Sequence, residues 1–130
     1  MLASGPAAAE VARILAGLGG SVDVLAGPPG LAAERKLLRS VFFKGMAAAV
    51  VEALEAGRAA GCEEWVRDTI TTELAGADES TVDRLVTGTH RHARRRAHEM
   101  AAAGELLTEL GVYPAVTDAS RELLARLADG

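Results

Sequence analysis

The sequence predicts a mainly α-helical fold, a helical bundle built on one long central helix. Aromatic residues make up only 3% of the 130-residue chain, and its apolar content is mainly Ala, Leu and Val, which helices accommodate. Residues 31–60 contain no proline, so one helix can run through all of them. Apolar residues recur at helical spacing before and after this segment, which predicts shorter helices around it.

The first 27 residues predict one helix followed by one strand. Ser4 and Pro6 are typical of a helix start, with Ser4 as the N-cap, and Gly19 ends the helix. Residues 21–25 alternate polar and apolar side chains as a strand does. A strand without a neighbour leaves its backbone groups unpaired, so we expect residues 1–27 to be the tail end of an α/β domain.

Residues 31–60 predict one helix of about 45 Å, closed by Gly61. This length exceeds the diameter of a small domain, which is about 30 Å. Between Val41 and Leu54 the helix is apolar on almost every side, a pattern typical of a buried helix. The other predicted helices are too few to cover it. We therefore expect a homodimer formed through the helix 31–60.

Three further helices are predicted after the long one. Residues 62–74 form the first, and a capping box at Ser80–Asp83 opens a second long helix that ends at Leu110, before Gly111. Pro114 precedes the last helix. The side chains expected to face inward in the first and last of these helices are Trp65, Val66, Ile70, Leu123, Leu124 and Leu127.

Composition disfavours several classes of function. The net charge of -4 argues against a general nucleic-acid or anionic-membrane partner. The single cysteine, Cys62, allows no internal disulfide. The longest apolar stretch contains Lys44 and Glu52 and is too short to span a bilayer, and no secretory signal is recognisable at the N-terminus. We expect a soluble, cytoplasmic protein that binds neither nucleic acid nor membrane.

Lys36 is the sharpest catalytic candidate. Its predicted helical face also carries Ser40, Phe43 and Val50, so one ammonium and one hydroxyl group lie on an otherwise apolar surface. A desolvated lysine has a lowered pKa and can serve as a general acid or base near neutral pH. The alternative is that Lys36, near the helix start, extends its charged end to water.

The segment Gly30–Ser40, with the sequence GLAAERKLLRS, resembles the region where β-hydroxyacid dehydrogenases pass from their nucleotide domain into a long interdomain helix. That superfamily includes 6-phosphogluconate and 3-hydroxyisobutyrate dehydrogenases. Its pattern is a glycine-containing turn, then the catalytic lysine, then a substrate-holding asparagine four residues later. The resemblance implies that Lys36 is the catalytic acid/base. Ser40 stands at the asparagine position, where a shorter hydroxyl replaces the amide as the substrate contact.

The resemblance covers nearly the whole chain. The segments Val41–Met46 and His92–Met100 are similar to a narrower branch of bacterial 6-phosphogluconate-dehydrogenase-like proteins, which have a short helical C-terminal domain of unassigned substrate. The resemblance implies that residues 1–27 are the tail end of a nucleotide-binding (Rossmann) domain. It also implies that residues 28–130 are a helical substrate and dimerisation domain. The substrate implied is a small hydroxy acid or a related carbonyl compound.

The cofactor implied by the resemblance is NAD or NADP, in the complete enzyme. A dinucleotide site needs a glycine-rich turn after a strand and before a helix. In this chain the segment Gly17–Gly20 follows a helix and precedes a strand. We therefore expect no tight NAD(P) binding by this chain alone.

A second candidate site lies within the segment His90–Glu99. Arg96 falls in the apolar arc of its helix, with His92 one turn before it and Glu99 one turn after it. Arg96 either pairs with Glu99, or forms with His92 a cationic pocket for a substrate carboxylate or phosphate. His90 and His92 point about 200° apart on a helix, which excludes a shared metal ion. The remaining cationic side chains are expected on a solvated face: Arg91, Arg94, Arg95 and His98.

These observations leave more than one function open. The chain is either the substrate-side part of an oxidoreductase, or a truncated, non-catalytic helical module for dimerisation or docking. A regulator that uses its basic helix is a third possibility, disfavoured by the acidic net charge.

Overall fold

The computed structural model describes all residues, 1–130, and confirms the mainly helical class. The chain divides into two compact units, residues 1–45 and 46–130, and the division falls inside the helix Leu31–Ala59. In chain order the elements are β1 (Leu2–Ser4), α1 (Ala8–Gly17), β2 (Asp23–Leu25), α2 (Leu31–Ala59), α3 (Glu63–Ala75), α4 (Thr81–Glu109) and α5 (Ala115–Ala128).

Residues 1–27 contain a second strand, which pairs with the predicted one, so the prediction of only one strand in this segment was wrong. β1 and β2 lie parallel, with Ala3 opposite Val24 at the centre of the register. α1 connects them, which makes residues 2–25 a small β-α-β unit. β1 escapes prediction because three residues are too few to show a periodic pattern.

Ser4 caps a different helix from the one predicted. Ser4 ends β1, and α1 begins only at Ala8, too far along the chain for Ser4 to be its N-cap. The Ser4 hydroxyl oxygen instead accepts a hydrogen bond of 2.9 Å from the backbone N–H of Ala32, in the first turn of α2. A residue distant in sequence therefore satisfies one of the free N–H groups at the start of the long helix.

Both long helices end at the predicted glycines. Gly61 follows α2 with φ +73°, and the N–H of Cys62 donates to the carbonyl of Gly57 at 2.7 Å. Gly111 follows α4 in the same way, with φ +74°. Only glycine adopts this left-handed conformation without a steric cost, and the hydrogen bonds are those of a Schellman motif.

The start of α4 does not use the predicted capping box. The Ser80 side chain makes no cap hydrogen bond to the helix, because Ser80 already has helical dihedral angles. Asp78 organises this turn instead: its Oδ1 accepts from the backbone N–H and the hydroxyl of Ser80 and from the hydroxyl of Thr81. These hydrogen bonds lower the pKa of the exposed Asp78 carboxyl group.

The core of the second unit lies between α4 and α5, which pack side by side. Small residues on α4 allow the close approach: Ala93, Ala97 and Gly104 are all buried. A side chain at Gly104 would have its Cβ 3.7 Å from the Thr117 methyl group of α5. Leu107 and Leu124 complete this narrow core.

Glu52 fixes the N-terminus of α5 from outside that helix. Pro114, which precedes α5, supplies no capping side chain. The Glu52 carboxylate of α2 accepts hydrogen bonds from the backbone N–H groups of Val116 (2.7 Å) and Thr117 (2.8 Å) and from the Thr117 hydroxyl (2.6 Å). The negative charge also complements the positive end of the helix dipole. α2 and α5 are therefore joined by a buried, charge-assisted cap.

Two of the side chains predicted to face inward do not. Trp65 is 69% exposed and Leu123 is 47% exposed, whereas Leu124 is buried and Val66, Ile70 and Leu127 are half-buried. The predicted periodicity is present, but no element of the unit covers the outer side of α3. None of the helices is both long and apolar enough to cross a lipid bilayer.

We expect Glu52→Ala to lower the free energy of unfolding by about 2–3 kcal/mol, because it leaves one buried N–H group, one partly buried N–H group and a hydroxyl without an acceptor. Urea denaturation measures the change. The control is Glu55→Ala, an exposed carboxylate on the same helix, which should change stability by less than about 0.5 kcal/mol. Equal effects of the two substitutions would contradict the capping role.

The contribution of Glu52 is also expected to depend on pH. Burial of the carboxylate by itself raises its pKa, but hydrogen bonds from Thr117 and Val116 outweigh that effect and hold the pKa below its ordinary value of 4.5. A lowered carboxyl pKa stabilises the fold above the unfolded-state pKa, and the stabilisation is lost as the pH falls through the folded-state pKa. The stability difference between wild type and Glu52→Gln should therefore shrink below about pH 5. A difference independent of pH would contradict this.

Candidate functional site

Lys36 and Ser40 lie one turn apart near the start of α2. The turn before the helix ends at Gly30, whose φ of +95° favours glycine. The Lys36 side chain is exposed and forms no ion pair, so its ammonium group is accessible to a ligand.

The Ser40 hydroxyl donates a hydrogen bond of 3.0 Å to the backbone carbonyl of Lys36. This bond uses the hydroxyl proton and leaves the oxygen as an acceptor. Ser40 is half-buried. The pair thus places one ammonium group and one hydroxyl oxygen within a single helical turn.

The second candidate site lies at a kink in α4. His92 has φ -122° and ψ 20°, outside the helical range, so two helical segments meet there. Nothing in the sequence predicts this kink, because no proline lies near it and the apolar pattern continues through it.

Arg96 does not pair with Glu99, so that interpretation of the sequence was wrong. Its Nη1 donates to the hydroxyl oxygen of Thr89 at 2.7 Å, on the other side of the kink. Glu99 instead forms an ion pair with Arg95, one full turn away on the same exposed face. The Arg96 side chain points back towards the N-terminus of the helix, as helical side chains do.

His92 lines a different surface from Arg96. The exposed face of α4 forms an open depression whose walls are all cationic or titratable side chains: Arg91, His92, Arg94, Arg95 and His98. The four that were expected to be solvated are exposed. His92 therefore lies at the kink itself, and Arg96 lies one helical turn after it.

The second unit also contains an apolar cavity of about 440 Å³, which the sequence analysis missed. Small residues in α2 and directly after it form one wall: Ala49, Ala53, Ala56, Gly57 and Ala60. Leu107 and Met100 of α4, Val116 of α5 and the exposed Trp65 of α3 form the others. The helical spacing of the small residues is the signal that could have predicted a hollow here. Glu52 lies at its edge, and no local pattern predicts its distant partners.

The chain has neither a cluster of metal ligands nor the glycine-rich turn of a dinucleotide-binding site. No group of three or more His, Cys, Asp or Glu side chains could hold a metal ion. Between β1 and α1 the chain has one glycine, Gly5, where a dinucleotide-binding turn uses three. The residues of this chain therefore do not fit the pyrophosphate of NAD(P).

The structure places the four predicted site residues as two pairs. Lys36 and Ser40 belong to the first compact unit, and His92 and Arg96 belong to the second. Within each pair the two residues lie one helical turn apart.

Comparison with known proteins gives one family match. Residues 58–127 match the family described as Domain of unknown function (DUF1932), which is more than half of the chain. A comparison with curated proteins found no match.

The solved structures that are similar to this chain include two proteins without an assigned function. A conserved hypothetical protein from Sinorhizobium meliloti 1021 is 34% identical over 95% of this chain, with a TM-score of 0.47. The conserved protein MTH1747, of unknown function and described as structurally similar to 3-hydroxyacid dehydrogenases, is 29% identical over 98% of this chain, with a TM-score of 0.50. This chain spans 42% and 49% of their respective lengths. The match to MTH1747 supports the fold class predicted from the sequence.

We expect Gly57→Ala to destabilise the fold by about 1–3 kcal/mol through overpacking at the wall of the cavity. An added Cβ would lie 2.8 Å from Cγ2 of Val66 and 3.2 Å from the Cα of Glu63. The matched control is Gly45→Ala on the same helix, where no atom lies within 4 Å, and it should be neutral or stabilise by up to about 1 kcal/mol. Thermal unfolding of both variants measures the contrast, and a stabilising Gly57→Ala would contradict the packing described.

Proposed function

We propose that this chain, which belongs to the DUF1932 family, is the substrate-side and dimerisation domain of an NAD(P)-dependent oxidoreductase. The DUF1932 domain is a C-terminal helical domain of the 3-hydroxyacid dehydrogenase family. The substrate proposed is a small hydroxy acid or a related carbonyl compound. The observation that carries the proposal is the exposed Lys36, six residues after Gly30 and within the second turn of α2.

Lys36 is proposed as the acid/base. As a neutral amine, Nζ takes the proton of the substrate hydroxyl when a carbonyl forms, and the resulting ammonium group returns that proton in the reverse direction. The hydride lost from the same carbon would be taken up by NAD(P), which supplies the oxidation when it is bound. Ser40 offers a hydroxyl oxygen one turn away, which can accept a hydrogen bond from the substrate. A substrate seated on this face would remove water from Lys36 and strengthen both contacts.

His92 and Arg96 are proposed to bind an anionic group of the substrate. Arg96 has no carboxylate partner within this chain, and a guanidinium group recognises a carboxylate or a phosphate through two parallel hydrogen bonds. His92 lines the neighbouring depression on the exposed face of α4, where it offers a separate hydrogen-bonding group to the substrate.

Residues 1–27 are proposed to be the tail end of a nucleotide-binding (Rossmann) domain, and residues 28–130 the helical substrate and dimerisation domain. The parallel β1-α1-β2 unit supports the first part, because such units build α/β domains. NAD or NADP would be held by nucleotide-binding residues other than those of this chain.

A homodimer formed through α2 is the second part of the proposal. Five large apolar side chains of this helix are between 47% and 75% exposed and point to nearly all sides of it: Leu37, Leu38, Val41, Phe42 and Phe43. An apolar patch of this kind on a single helix is typical of a surface that another chain covers.

A second candidate function is a non-catalytic dimerisation or docking module. The specific observation that favours it is Ser40, whose hydroxyl proton bonds to the backbone where the resembling enzymes carry a substrate-holding asparagine.

We expect Lys36→Met to lower kcat by about 10²- to 10⁴-fold in the polypeptide that joins this domain to a nucleotide-binding domain, with cofactor affinity unchanged. The substitution keeps the length of the side chain and removes its proton. Steady-state kinetics with hydroxy acids and cofactor titration measure the two quantities. Lys44→Met on the same helix is the control and should keep turnover within about twofold of wild type. Near-normal turnover of Lys36→Met would favour the docking module instead.

We expect size-exclusion chromatography with light scattering to give twice the chain mass of 13.4 kDa. Phe42→Glu should shift the protein to the monomer, because it buries a charge in the proposed interface. Leu18→Glu, at an 80% exposed position outside α2, is the control and should leave the mass unchanged. A wild-type monomer at high protein concentration would contradict dimerisation.

A further inference from the structure

Arg96 carries a charge that this chain does not compensate. Arg96 is half-buried, and no carboxylate oxygen lies within 4.0 Å of its guanidinium group, whereas the exposed Arg84 and Arg95 of the same helix each form an ion pair. Arginine has five N–H donors, and here one of them has a protein acceptor, the hydroxyl of Thr89. A partly buried cation with free donors is stabilised when an anion joins it.

The Thr89 hydroxyl also accepts a hydrogen bond without donating one. The hydroxyls of Ser40, Thr69, Thr71 and Thr108 all donate to the carbonyl one turn before them. The Thr89 hydroxyl makes no such bond and accepts from Nη1 of Arg96. Its own proton is therefore available to a ligand oxygen, directly beside the guanidinium group.

The local backbone makes room for this arrangement. Gly88 has no side chain, and a Cβ there would touch Nη2 of Arg96 at 3.5 Å. The kink at His92 lies between Thr89 and Arg96, so the bond joins the two helical segments that meet there. The Arg96 guanidinium group and the Thr89 hydroxyl therefore lie side by side at the kink.

We propose that Thr89 is the positioning residue of an oxyanion site at the kink of α4, in which Arg96 binds the anion and the Thr89 hydroxyl both orients Arg96 and donates a hydrogen bond to the same ligand. The ligand is an oxyanion group, a carboxylate or a phosphate. This inference rests on the proposed function only in assigning that anion to the substrate, and the site can be tested without any catalytic step.

The experiment is isothermal titration of the chain with inorganic phosphate and, separately, with malonate, at constant ionic strength set by chloride. The variants are Arg96→Gln, Thr89→Val and Thr89→Ser, each first checked by thermal unfolding. Thr87→Val, an exposed threonine nearby, and Arg95→Gln, whose side chain pairs with Glu99, are the matched controls.

We expect wild type and both controls to bind at least one of the two anions, and Arg96→Gln to abolish binding. Thr89→Val should weaken it about tenfold, the loss expected for one hydrogen bond and its orienting effect. Thr89→Ser keeps the hydroxyl group and should therefore bind the anion as tightly as the wild type. A purely structural role of the threonine would not predict this difference between the serine and valine variants. Preference for malonate or for phosphate identifies the anion as a carboxylate or a phosphate.

Two results would overturn the proposal: no binding of either anion above chloride, or equal binding by Thr89→Val and wild type. If Thr89→Val does not fold, Thr89→Ala replaces it in the same comparison. The turnover of Lys36→Met is independent of these titrations. Failure of the oxyanion site therefore leaves the acid/base assignment standing, and failure of Lys36 leaves the oxyanion site standing.

Discussion

The carboxylate of Glu52 joins α2 to the start of α5, and the rest of the second unit depends on this contact. A carboxylate taken out of water is stable only when its oxygens receive hydrogen bonds, and here the N-terminus of α5 supplies three of them. The same contact satisfies backbone groups that Pro114 leaves uncapped. It therefore fixes the position of one helix on another where few apolar side chains are available.

The apolar core of this unit is narrow, which explains why a polar contact has such weight. Ala93, Ala97, Leu107 and Leu124 are its buried apolar residues, and small residues bury little surface each. The alanine and glycine wall of α2 leaves a cavity where larger side chains would have packed. Large apolar residues are exposed instead, among them Trp65 and Leu106. This distribution is typical of a domain that is completed by further protein surface.

Sequence reasoning located the candidate site residues but not their partners. Lys36 with Ser40, and His92 with Arg96, are each separated by one helical turn, and helical spacing alone places such residues together. The pairing of Arg96 with Thr89 could not be predicted, because it depends on the kink at His92. Glu52 appeared in the sequence only as a charge that interrupts an apolar stretch, since its partners lie more than 60 residues away.

The sequence by itself determined the helical class, the bounds of α2 and the glycines that end the long helices, because these features are set by local chemistry within a few residues. It also carried the resemblance around Lys36. The tertiary structure decided which helix Ser4 caps, that β1 pairs with β2, that Glu52 caps α5 and that Arg96 has no carboxylate partner. Each of these depends on groups distant in sequence or on a bend in the chain, for which local patterns contain no signal.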